Sequence, residues 1–360
     1  MELQIMSDDP TIRVTTFENA GNASRNLVIP LAGNESFARL LADAEDWELG
    51  AVETRSFPDG ETYLRILSDV EDRSVIFVCT LARPDAGFLR LVFAADGARS
   101  LGARSITLIA PYLAYMRQDR RFQTGEAVTS LSFARLLSSS FDRLVTVDPH
   151  LHRYLALTDL YSMPAIALHA APLLADWIAT NVDNPLLIGP DTESEQWVAA
   201  IAAQVGAPYA VARKIRHGDR NVDIELPDLS RWRDRQPVLV DDIASSGRTL
   251  IEAARQLALR GLTLPIVVIV HAIFAGDAFE QLSPLCRRIV STDSVSHASN
   301  AIALAPMIGR ALAGPEAVGG GNVRHRCPPE PMDEVDRAGV DSFPASDPPS
   351  WMGGVERHGD

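Results

Sequence analysis

Lysine is almost absent from this 360-residue chain: Lys214 is the one lysine among 33 basic side chains. Cysteine is nearly as scarce. Cys79, Cys286 and Cys327 are an odd, widely spaced set, which argues against a disulfide framework or a thiolate zinc centre and suits a reducing cytoplasm. Cations are also outnumbered, 33 against 47 acids, for a formal charge of -14. A nucleic acid or an anionic membrane demands clustered cations across a face, so neither is expected as a partner. No apolar run reaches the roughly 18 residues that span a bilayer. No basic segment followed by an apolar one opens the chain. The sequence therefore predicts a soluble cytoplasmic protein whose anionic ligands, if any, are small.

Apolar residues make up 46% of the chain, enough for a sizeable core and two domains. Short β-rich runs, "NLVIPL", "VIFVCT", "SITLIAP" and "RLVTVD", are followed further on by "PLLIGP", "PVLVDD" and "LPIVVIVHAI". Amphipathic stretches such as "TSLSFARLLSSS" and "EQWVAAIAAQV" lie between them. That alternation predicts an α/β fold with two doubly wound parallel sheets. The divisions expected are an arm over 1–26, a first α/β domain over 27–165, a second over 166–312, and a tail over 313–360. The tail is rich in Pro, Gly and acids and lacks the apolar density that would offset its ordering entropy.

The most informative stretch is "VLVDDIASSGRTL", Val238 to Leu250. An apolar strand delivers Asp241 and Asp242 to its carboxyl end, where open α/β sheets hold ligands. Ser245, Ser246, Gly247, Arg248 and Thr249 follow, a small-residue turn at the start of a helix and so a ready phosphate cradle. "LLIGPD" brings Asp191 to another strand end, a position suited to magnesium that keeps its waters and bridges substrate phosphates. In "PYLAYMRQDRRF", Arg117 can clamp a phosphate bidentately and Gln118 can contact a nucleotide, although a solvated charged turn would read alike. Pro58, Asp59 and Gly60 in "SFPDGETYLRI" signal a tight turn, and a plain hairpin is the simpler reading of it.

Taken with "VDPHLHR", "GPDTESEQ" and "ARKIRHGDRN", these segments resemble the ribose-phosphate pyrophosphokinases over about residues 27 to 312. The resemblance implies two similar α/β domains with active sites between domains and subunits, hence a homo-oligomer. It also implies transfer of the β,γ-diphosphoryl group of ATP to the anomeric hydroxyl of ribose 5-phosphate, with Mg2+ as cofactor. It assigns Phe57, Asp59 and Glu61, with Arg117 and Gln118, to ATP. It makes His150 and Asp191 the metal-associated residues, and Asp241 to Thr249 the ribose 5-phosphate site. Lys214 and Arg216 fall on the catalytic loop. A compact ammonium can follow a migrating phosphate in ways a planar guanidinium cannot. His152 has no counterpart and reads as a surface residue.

Three departures from the family pattern stand out. Ser245 replaces an acid. Thr192 to Glu195 replaces a small, glycine-containing stretch. Gln123, Thr124 and Gly125 stand where bacterial members carry an Arg-Ser-Arg run, so control by phosphate or ADP is expected to be weak. Two other functions stay open from sequence alone: a phosphoribosyltransferase that uses the same activated sugar, and a silent regulatory relative.

Overall fold

The structure is a computed structural model that describes residues 13–14, 26–121, 123–151, 153–217 and 221–313. Most of the expected amino-terminal arm, the tail beyond Ala313, and His152 lie outside the described residues. The fold is α/β, as the alternation of apolar runs predicts.

The first half comprises β1 (Arg13–Val14), β2 (Asn26–Pro30), α1 (Glu35–Glu45), β3 (Glu48–Leu49), β4 (Val52–Ser56) and β5 (Thr62–Ile66). It continues through β6 (Ser74–Val78), α2 (Pro84–Ser100), β7 (Ser105–Ala110), α3 (Thr129–Ser140), β8 (Arg143–Val147) and β9 (Ala165–Leu168). The second half runs through α4 (Ala171–Asn181), β10 (Pro185–Gly189), α5 (Glu195–Val205), β11 (Tyr209–Val211), β12 (Arg213–His217) and β13 (Asn221–Glu225). It ends with β14 (Gln236–Ala244), α6 (Arg248–Leu259), β15 (Ile266–Ala272), α7 (Ala278–Leu282), β16 (Arg288–Thr292), β17 (Asn300–Ile302) and α8 (Ala305–Ala313).

Two six-stranded sheets result, with orders β3-β2-β6-β7-β8-β9 and β11-β10-β14-β15-β16-β17. Every pairing within them is parallel. The two halves share one plan. In each, the second strand takes the edge, the first lies beside it, and an antiparallel hairpin (β4 with β5, β12 with β13) is inserted before the sheet resumes. The order reverses between β2 and β6 and again between β10 and β14, and such switch points open crevices at the carboxyl ends of the strands.

Parallel strands covered on both faces are apolar at nearly every position. Leu27 and Ile29 of β2 pack into one cluster with α2 and α3, while Val28 faces another with α1 and α4. That second cluster also holds Val238 and Val240 of β14 and Val268 of β15, so the halves share one continuous apolar layer. α8 closes it by returning to the first half, where it packs against α1. The remaining face of the second sheet is covered by α6, whose Leu250, Ala253, Ala254 and Leu257 are buried. Burial of this kind contributes roughly 1.5 to 3 kcal/mol per large aliphatic side chain and fixes the strand ends that carry the polar residues.

Candidate active site

β14 is central in the second sheet, between β10 and β15. The acids do not terminate it, as its sequence suggests. Pairing with β15 continues through Asp241↔Ile269 to Ala244↔Ala272, which holds the backbone of both acids rigid. Both residues remain half-buried rather than fully enclosed. The Asp241 carboxylate accepts the Asp242 amide at 3.0 Å. Burial, with the negative fields of Asp242 and Asp191, lifts the Asp241 carboxyl well above the ordinary carboxylate range. Asp191 therefore stands close enough to be felt electrostatically.

Asp242 behaves in the opposite way. Burial works against its charge, yet the His150 hydrogen bond and the positive fields of His150 and His271 bring its carboxyl below the usual value. His150 Nδ1 lies 2.8 Å from Asp242 Oδ2. The contact links the sheets, because His150 follows β8 of the first and Asp242 belongs to the second. Asp148, just before it, occupies the left-handed region at φ 37, an uncommon conformation for a residue with a Cβ. Its side chain accepts the Ala170 amide at 2.8 Å and meets His169 Nδ1 at 3.0 Å.

The turn after β14 runs through Ser245 and Ser246 to Gly247, whose φ of 65 favours glycine. α6 begins at Arg248, so Arg248 and Thr249 both sit in its first turn. No side chain caps this amino terminus, and its first turn carries no acid. Outward-facing amides at the positive end of a twelve-residue helix make a site for an anion. Ser245 is held by its carbonyl, which accepts the Ala275 amide at 3.1 Å.

Asp191 caps the short 3-10 turn Thr192–Ser194, accepting the Ser194 amide at 3.2 Å. The Ser194 hydroxyl donates to the Asp191 carbonyl at 2.6 Å. Gly189 makes this turn possible, because a Cβ there would collide with the Ser194 hydroxyl. The unusual Thr-Glu-Ser segment is thus a compact turn that leads straight into α5. Beside it opens a cavity of about 490 Å³ lined by Thr192, Glu195, Tyr209, Arg213 and Trp232, at the base of the β12–β13 hairpin. Another cavity, of about 260 Å³, lies at the opposite, amino-terminal edge of the first sheet beside Asn26 and Asp142. In the hairpin, Lys214 pairs in register with Ile224 and Arg216 with Val222. The hairpin tip, 218–220, is outside the described residues.

Arg117 is exposed and its field reaches the Tyr112 hydroxyl, which also senses Asp242. Gln118 accepts the Thr129 hydroxyl at 3.1 Å. Phe57, Asp59 and Glu61 lie together on one turn. Phe57 and Glu61 close the β4–β5 turn, the Phe57 amide donating to the Glu61 carbonyl at 2.7 Å and the Glu61 amide to Asp59 at 3.1 Å. Phe57 packs edge-on to Tyr63, and the Arg55 guanidinium sits 4.7 Å from the Phe57 ring and 4.2 Å from the Tyr63 ring.

The chain matches two family models. Residues 26–140 match the N-terminal domain of ribose phosphate pyrophosphokinase, and residues 156–297 match the phosphoribosyl transferase domain. A curated ribose-phosphate pyrophosphokinase of Methanothermobacter thermautotrophicus is 32% identical over 78% of this chain and 98% of its own length. One of Methanopyrus kandleri is 32% identical over 79% of this chain and 98% of its own. The chain belongs to the ribose-phosphate pyrophosphokinase family.

A solved phosphoribosylpyrophosphate synthetase from Mycobacterium smegmatis has the same fold, at TM-score 0.69 and 21% identity, covering 80% of this chain and 98% of that one. Within this chain, the first matched segment holds Phe57, Asp59, Glu61, Arg117 and Gln118. The second holds Asp191, the hairpin residues and Asp241 to Thr249. His150 falls between them and is located by geometry alone. Sequence reasoning missed Tyr112 and His271, whose rings lie 5.0 Å apart beside the acids. The one signal for His271 was a single imidazole in the otherwise apolar run "IVVIVHA".

Proposed function

We propose that this chain transfers the β,γ-diphosphoryl group of ATP to the C1 hydroxyl of ribose 5-phosphate, giving phosphoribosyl pyrophosphate and AMP. One observation carries the reading: a paired carboxylate and an uncapped helix amino terminus belong to one β-turn-α unit, and a histidine from the other sheet meets that carboxylate pair. The Ser245 to Gly247 turn with Arg248 and Thr249 grips the 5-phosphate. Asp241 and Asp242 orient the ribose hydroxyls, and Asp242 sets the ring of His150 through Nδ1.

The donor chemistry suits a hard divalent cation. Carboxylates and an imidazole surround the crevice without a thiolate, and the crowding of Asp241, Asp242 and Asp191 calls for positive charge. Among the described residues no three His, Cys, Asp or Glu side chains converge as a closed metal cage. His150 and Asp191 would be the protein contacts of a cation held here. Mg2+ supplies positive charge that neutralises the migrating diphosphate.

Lys214, with Arg216 nearby on the same strand, stabilises charge spreading over the transferred group, and hairpin closure excludes water. On the donor side, Arg117 and Gln118 serve the nucleotide. The Phe57, Asp59 and Glu61 turn serves an adenine and does so across a subunit border in a homo-oligomer. Among the described residues no helix is long and apolar enough to cross a membrane, and Cys79 and Cys286 are free thiols. ATP and sugar-phosphate substrates suit a cytoplasmic enzyme. Purified protein with ATP, Mg2+ and ribose 5-phosphate should release AMP in proportion to sugar consumed; release of ADP would identify ordinary phosphoryl transfer and end this reading.

A further inference from the structure

His271 lies in β15 at register with Ile243 of β14 and is 1% exposed. A buried imidazole in an otherwise apolar strand must find partners for both nitrogens. Its Nε2 stands 3.1 Å from the Val147 carbonyl and 3.3 Å from the Asp148 carbonyl. Carbonyls only accept, so Nε2 carries the hydrogen. Nδ1 lies 2.9 Å from the Ser294 hydroxyl. The Ser294 hydroxyl also reaches the Val270 carbonyl at 3.0 Å, and that carbonyl receives the Thr292 hydroxyl at 2.7 Å through its second lone pair, so Ser294 ties the ring to the backbone of β15.

Ser294 is in turn anchored to the first sheet. Its carbonyl accepts the Thr80 hydroxyl at 2.6 Å, and the Thr80 amide donates to the Asn34 side chain at 2.8 Å. Asn34 and Thr80 stand at the switch point of the first sheet, after β2 and β6. A polar strut thus crosses from that switch point, through Ser294 and His271, to the carboxyl end of β8.

The strut ends on a segment that needs support. Asp148 is held in the left-handed region, and two residues later His150 reaches Asp242. A strained conformation persists where its surroundings over-determine it. The Asp148 carboxylate is fixed by Ala170 and His169, and its carbonyl by His271. We propose that His271 is a positioning residue for the reaction: by holding the carbonyls of Val147 and Asp148, it fixes the left-handed turn that delivers His150 to Asp242. This role rests on the proposed diphosphoryl transfer, although its structural half does not.

The test compares His271→Leu, His271→Asn and His271→Gln in the full chain, with kcat, KM for each substrate, thermal unfolding and crystal structures. Gln can carry an N–H to the Val147 carbonyl; Leu has none, and Asn is too short. Loss of such a supporting bond lowers activity by about 10- to 100-fold. The expected result is that loss in kcat for Leu and Asn, with KM for ATP little changed and most of kcat restored in Gln. The crystal structures should show the 2.8 Å His150 to Asp242 contact kept in Gln and lost in Asn. Should Leu fail to fold, the Asn and Gln pair carries the comparison. Wild-type kcat in Asn, an unchanged Asp148 turn in Asn, or equal losses in Asn and Gln that follow thermal stability would each overturn the proposal. If the wild-type protein forms no AMP, the reaction is refuted while the crystal comparison still decides the positioning role.

Discussion

Asp242 Oδ2 and His150 Nδ1 lie 2.8 Å apart although 92 residues and two different sheets separate them. The pairing splits two adjacent carboxylates into unlike groups: Asp242 is stabilised as an anion, while Asp241 is pushed toward its protonated form. Environment rather than residue type makes that division.

Replacing Asp242 by Asn removes the charge that orients His150. Turnover should fall by about 10- to 100-fold, measured as AMP formed at saturating substrates. A depressed folded-state carboxyl contributes stability above its unfolded pKa that is lost as pH falls through the folded one. The stability gap between wild type and Asp242→Asn should therefore be open at neutral pH and close in acid, as followed by thermal unfolding across pH.

Asp241 has the opposite sign. Its raised carboxyl contributes stability below the unfolded pKa, and that contribution disappears as pH rises through the folded value. At neutral pH without ligands, Asp241→Asn should melt higher than wild type, by roughly 2 °C or more, while losing activity. Such an exchange of stability for function is expected where like charges are crowded for catalysis. A lower melting temperature at pH 8 would contradict the crowding.

Asp293 gives a pH test away from the acid pair. Burial raises its carboxyl to about 6, while it accepts the Leu304 amide at 2.8 Å. Between its unfolded pKa and about 6 the folded protein binds the extra proton, so stability should decline as pH rises through that window. Asp293→Asn keeps an acceptor and should flatten this decline in unfolding scans between pH 4 and 7.

Gly189→Ala tests the Asp191 turn. The new Cβ meets the Ser194 hydroxyl, and overpacking of this kind costs about 1 to 3 kcal/mol. Lower stability should accompany a raised Mg2+ requirement, read from AMP formation over a metal titration. An unchanged metal requirement would detach the turn from cation binding.

Much of this architecture was legible because apolar patterning and burial agree. "TSLSFARLLSSS" and "EQWVAAIAAQV" are α3 and α5 residue for residue, and the seven apolar runs all contain strands. The edge strands β3, β11 and β17 were not legible, since two or three residues carry no period. Nor was the length of β14 past its acids, which is set by pairing with β15. Individual site residues were readable at strand ends, but their convergence was not: nothing local joins His150 to Asp242 or His271 to Asp148. Those are consequences of how two sheets meet over a shared core.

The absence of cations at Gln123, Thr124 and Gly125, an exposed turn with Gly125 at φ 90, extends to regulation. Activity should respond little to added inorganic phosphate or ADP beyond simple competition with ATP. Strong phosphate activation would mean that other residues build the anion site.

The central claim, that an intact diphosphoryl group moves to the anomeric hydroxyl under the control of Lys214, is tested most directly by phosphorus NMR of the products from wild type and Lys214→Ala. The account predicts AMP and a C1-linked diphosphate from wild type, with the rate lowered about 100- to 1,000-fold in Lys214→Ala and its fold intact. Formation of ADP with a sugar monophosphate at C1, or equal rates from the two proteins, would contradict it.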